Sequence, residues 1–208
     1  MAAQREEQRA VADIWPFAAV LLDKACAAVA ELVAFSACGG DAMPLSRKID
    51  GSHENPLAVV EHMAIRNDWP FERMVDDEIA LLVAGAWTNY QISFTWMSEI
   101  NVLHFACAFD MKVPEGRLSE VQQLIAGINE QLWIGHFDVW TSNGMVMFRH
   151  SALLVGGVST SGPQCEAVIG SALDTCERYY PAFQFVVWAG KSAREAMDAV
   201  MFETSGQA

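Results

Sequence analysis

The chain has 208 residues, 52% of them hydrophobic and 19% charged, which suits one domain with a substantial core and excludes wholesale disorder. Its 26 acidic residues outnumber 13 basic ones, giving a formal net charge of -13. Such a surface repels nucleic-acid phosphates and anionic membranes, so neither is expected as a partner.

Residues 1 to about 38 read as helical, interrupted near Pro16, with Val20, Leu21, Ala28, Leu32 and Phe35 available for an apolar stripe. A membrane span is not expected there, because Asp23 and Lys24 would fall near the bilayer centre. Arg5, Glu6, Glu7 and Arg9 do not suit a secretory signal. After Gly39-Gly40-Asp41 the composition changes, and Met43 could itself begin a domain. The expected organisation is an N-terminal helical extension over 1–42 and an α+β domain over 43–208.

Asn55-Pro56 supplies a cap and a first-turn proline for a short helix to about Asn67. Phe71 to Asp76 gives an opening strand. Three apolar runs follow between Glu78 and Asp110, and in the middle one Tyr90, Ile92, Phe94 and Trp96 alternate with Gln91, Ser93 and Thr95. The breaks between runs are too short for a crossover helix, so the runs must pair antiparallel as a meander. Leu118, Val121, Leu124, Ile125, Ile128 and Leu132 then recur at spacings of three and four, which makes an amphipathic helix. GHFDVW and MVMFRHSALLV form a hairpin around Asn143-Gly144. Ser161 and Gln164 have capping-box spacing before a helix from about Pro163, and Pro181 predicts a kink or restart within it. Ser192 with Glu195 caps a last helix. The fold class expected is α+β, an antiparallel sheet of about five to six strands packed against helices.

Five histidines (His53, His62, His104, His136, His150) show no HxxxH or HExxH spacing, so no metal is expected. His136 and Asp138 share a strand face, where the aspartate is expected in solvent, and His104 reads as a satisfied histidine in or beside the core. There is no GxSxG, and Cys107 lies between Phe105 and Phe109 in an apolar setting that leaves a thiol inert. The five cysteines lack any CxxC spacing and read as reduced thiols of a cytoplasmic protein. No catalytic residue and no cofactor are expected. A rival reading places a small ligand or anion, or an enzyme's substrate, near Gly157–Ser161 and the strand histidines.

Seven Trp, eleven Phe and ten Met exceed what one sheet face consumes. If helices cover a single face, Trp140, Met145 and Met147 need another partner, and a second copy of the chain would bury them. The alternative is a sheet covered on both faces within the monomer, by residues 1–38; otherwise a homodimer that also binds a further protein is expected, with those three residues as its contacts.

NPLAVVEHMAIRNDWPFER, the hairpin with Arg149-His150, and above all CERYYPAFQFVVWAGKSAREAM carry a likeness. From about Pro56 to Phe202 the chain resembles the YbjN family of bacterial proteins, labelled sensory transduction regulators. The resemblance implies a type III secretion chaperone-like α+β fold and a non-enzymatic, cytosolic protein-binding module, commonly dimeric. It supplies no catalytic residues.

Overall fold

A computed structural model describes residues 55–205 except position 157. The expected extension over 1–42 and its boundary lie outside these residues. Helix α1 (Leu57–Arg66) is followed by strands β1 (Phe71–Val75), β2 (Glu78–Ala84), β3 (Asn89–Met97) and β4 (Val102–Lys112). A 3-10 turn (Glu115–Arg117) leads into α2 (Leu118–Asn129), then β5 (His136–Trp140), β6 (Met145–Leu153), α3 (Gly162–Val187) and α4 (Ala193–Ser205). The strands form one six-stranded antiparallel sheet in the order β1-β2-β3-β4-β6-β5. This is the α+β architecture expected, with four described helices.

Local chemistry explains most boundaries. The Asn55 carboxamide oxygen accepts from the Leu57 N–H at 2.9 Å, and Pro56 needs no donor in a first turn. Ser161 and Gln164 form the expected capping box at the start of α3. The β5–β6 connection is a four-residue loop, Thr141–Gly144, because Trp140 pairs with Met145. Gly144 there has φ +73, and a Cβ would strike the Val113 carbonyl, so both conformation and space require glycine.

Of the kink or restart expected at Pro181, the restart does not occur: α3 runs unbroken to Val187. The carbonyl that proline leaves without a helical donor belongs to Glu177, and the Trp87 indole reaches it from the β2–β3 turn.

The sheet has two unlike faces. Ile79, Leu81, Val83, Tyr90, Ile92, Phe94, Phe105, Cys107, Phe109, Phe137 and Phe148 point to one face and join buried residues of all four helices in a single cluster. Phe109 is its hub, meeting Phe137, Tyr180 and Phe183 edge-on at ring separations of 5.7, 5.4 and 5.3 Å. Cys107 and Cys176 face each other in this core as free thiols, 3.8 Å apart. Burial pushes the Cys176 thiol well up, which keeps it unreactive. The second face carries Glu78, Ala80, Ser93, Thr95, His104, Ala106, Ala108, Met145 and Met147, all buried and all outside that cluster. Among the described residues, no helix is long and apolar enough to cross a membrane.

Candidate functional site

The four-residue loop sets a register that brings the strand histidines together. His136 stands opposite Arg149, and Arg149 opposite Ala106 on β4, one step from His104. The Arg149 guanidinium donates from Nε to His104 Nε2 at 3.2 Å and from Nη1 to Asp138 Oδ2 at 3.0 Å. Asp138 is therefore a half-exposed ion-pair partner and not the solvated carboxylate expected. Its other oxygen accepts from the Val139 N–H at 2.8 Å.

Electrostatics follow from this crowding. Burial first, then the positive charges of Arg149, His136 and His150, lowers His104 to about 4. The ring is neutral near pH 7 with Nε2 as acceptor, the satisfied histidine the sequence suggests. His150, on the neighbouring position of β6, is also lowered, by burial and by His136. An imidazole so weakly basic is a poor general base at neutral pH. No group of three or more His, Cys, Asp or Glu suited to a metal occurs among the described residues.

Trp140 and Met145 form a cross-strand pair on the second face, and Met147 lies opposite Asp138. Met145 and Met147 are buried, at 3% and 0% exposure, and Trp140 is half-buried. The structure thus places the three expected contact residues side by side, next to the Arg149–Asp138 pair.

The glycine-rich segment is elsewhere. Position 157 lies outside the described residues, while Gly156 has φ +71 and the Ser161 N–H and hydroxyl both engage Gln164. A cleft of about 640 Å³ adjoins it, between α1 and the start of α3, lined by Ala58, Val59, His62, Met63, Arg66, Gly162 and Pro163. Arg66 is paired with Glu166, and His62 bonds the Ala58 carbonyl. None of the strand histidines lines this cleft, so the two halves of the rival site are separate.

Sequence reasoning missed how the sheet edge is closed. The Asn129 carboxamide, at the end of α2, accepts from the Phe137 N–H at 2.8 Å and donates to the Phe137 carbonyl at 3.0 Å. Together with Asp138 on the Val139 N–H, it occupies the outward N–H groups of Phe137 and Val139 on β5, a terminal strand of the sheet. An edge whose donors are taken resists strand addition. Asn129 precedes Phe137 by eight residues with no motif between them, so nothing in the sequence marks it.

Trp133 is fully exposed and Ile134 half-exposed in the loop before β5, and Leu153 is 63% exposed at the end of β6 on the second face. No curated protein and no solved structure matches the chain. A family model described as "Putative bacterial sensory transduction regulator" matches residues 56–185, from the start of α1 into the last turn of α3. That span holds every strand of the sheet, and by it the chain belongs to the YbjN family.

Proposed function

We propose that this domain is a non-enzymatic protein-binding module, a cytoplasmic regulator in sensory transduction that acts as a homodimer and engages a further protein. One observation carries the reading: Leu82, Met97 and Leu153 on the second sheet face are half-buried or exposed and lie outside the core that the helices share. Methionine side chains adapt to differently shaped partners, which suits such a surface to binding. The blocked β5 edge favours contact through the face over extension of the sheet. Family membership supports a regulatory role. A photo-cross-linking residue in place of Trp140 should yield chain-to-chain adducts in the full-length protein; adducts confined to a single chain would count against the dimer.

A second reading, small-ligand binding, is favoured by the cleft between α1 and α3. Its walls are mostly aliphatic, so an uncharged apolar ligand fits it better than an anion. Resonances of Val59 and Met63 that ignore a panel of such ligands would dismiss it.

A further inference from the structure

The two terminal strands of the sheet are finished differently. On β5 the Phe137 and Val139 N–H groups are taken by Asn129 and Asp138. On β1 the Pro70 carbonyl accepts from the Leu82 N–H at 2.9 Å, which fixes the alternation of the ladder. Pro70 and Glu72 turn their main-chain groups toward β2, and Phe71 and Arg73 turn theirs away from the sheet. Among the described residues, no donor or acceptor meets those outward groups of Phe71 and Arg73.

This edge is held in shape. The Asp76 carbonyl just after it accepts from Asn55 Nδ2 at 3.0 Å and from Arg73 Nη2 at 2.6 Å. Arg73 Nη1 donates to Glu61 on α1 at 3.2 Å, and Phe71 packs against the core cluster. An extended partner therefore meets a strand already formed, and the entropy of ordering falls on the partner alone.

A second copy of the chain fits β1 poorly. A two-fold pairing that engages both outward residues sets Phe71 opposite Arg73 of the other copy and Glu72 opposite Glu72, in the close pair without mutual hydrogen bonds. Like charges so placed repel. Shifting the register toward the C-terminus opposes Arg73 to Arg73 instead, and the bulge after Arg73 ends the regular ladder there.

Glu72 is exposed and makes no ion pair among the described residues, whereas Arg73 is committed to Glu61. Asp76 and Asp77 follow closely, in a chain of net charge -13. The outward groups suit an added strand, and the uncompensated carboxylate suits a cation on it. We propose that β1 takes an extended segment of a partner protein as an antiparallel seventh strand, with a lysine or arginine of that segment opposite Glu72. This docking rests on the protein-binding reading and divides its two contacts: the sheet face serves self-association, and the further protein is met at β1.

The test follows hydrogen exchange of the Phe71 and Arg73 amides by NMR in the full chain. The probe is acetyl-Thr-Val-Lys-Val-Thr-amide, whose lysine stands opposite Glu72 and whose valines stand opposite Phe71 and Arg73. At ten times its Kd the peptide should slow both amides about tenfold, since they exchange only from the unbound fraction. Glutamate in place of lysine should weaken binding about tenfold, and Glu72→Lys should reverse that preference. N-methylation of both valines should abolish the slowing. Amides that are not slowed, equal binding of the glutamate peptide to wild type, or an N-methylated peptide as effective as its parent would each overturn the proposal. Slowing of both amides by protein concentration alone would overturn it too, because that is pairing between copies. Cross-linking at Trp140 reports on the protein-binding reading without involving β1, so the two fail separately.

Discussion

The indole Nε1 of Trp87 donates a hydrogen bond to the main-chain carbonyl of Glu177 at 3.1 Å, the carbonyl that Pro181 deprives of its helical donor. A turn of the sheet thereby supplies what a proline removes from a helix. The side chain of Glu177 returns the contact, accepting from the Ala86 N–H at 2.7 Å, and the Trp87 ring stacks on Tyr180 at 6.4 Å.

This pairing predicts non-additivity. Trp87→Phe keeps a stacking ring but loses the donor, and should cost about 1 kcal/mol in denaturant unfolding. Pro181→Ala restores a backbone N–H for the same carbonyl, so in that background Trp87→Phe should cost close to nothing. Equal costs in both backgrounds would show that the indole does not serve the carbonyl.

At Gly85 the constraint is space. A Cβ there would collide with the Glu177 carboxylate and the Tyr90 ring. Gly85→Ala should therefore lose about 1 to 3 kcal/mol, as overpacked sites do, whereas Gly127→Ala, with nothing near its Cβ, should not. Comparable stability of the two variants would contradict the close approach.

The sheet edge gives a prediction about association. Removing the Asn129 carboxamide frees the N–H and carbonyl of Phe137, at a cost of about 2 kcal/mol. Asn129→Ala should also form species larger than wild type in light scattering, because β5 becomes open to strand addition. An Asn129→Ala protein as stable and as monodisperse as wild type would dismiss the edge-sealing role.

Two buried groups set opposite pH dependences. Burial raises Glu78 from 4.5 to about 7, so the folded protein retains a proton that the unfolded chain releases. That contribution is complete below pH 4.5 and lost as pH rises through 7. Glu78→Gln should therefore gain on wild type at pH 8 by about 3 kcal/mol. His104 behaves in the reverse sense, lowered from 6.5 to about 4 by burial and then by Arg149. Its contribution is complete above pH 6.5 and lost as pH falls through 4, and His104→Gln, which can still accept from Arg149, should flatten that acid limb. Urea unfolding from pH 4 to 8 checks both signs.

Signals that act over a few residues were legible in the sequence. Alternation in Tyr90 to Trp96 gave the meander, Ser161 with Gln164 gave the helix start, and Asn143-Gly144 gave the hairpin. The register of that hairpin was less legible, since Asn143-Gly144 as a whole two-residue turn would set His136 opposite Ser151. Only Gly144 takes a positive φ, so the loop spans four residues and His136 meets Arg149. The contacts that define the site span longer separations: Arg149 to His104 crosses 45 residues and Trp87 to Glu177 crosses 90. Pro181 misled for the same reason, because the donor that rescues its helix lies on another element.

The central claim, a module that self-associates through its second sheet face, is tested most directly by sedimentation equilibrium of the full chain. Wild type should sediment at twice the 22.9 kDa of one chain, and Trp140→Ala should fall toward a single chain at the same concentration. A wild-type protein that stays at 22.9 kDa at high concentration, with Trp140→Ala indistinguishable from it, would contradict the account.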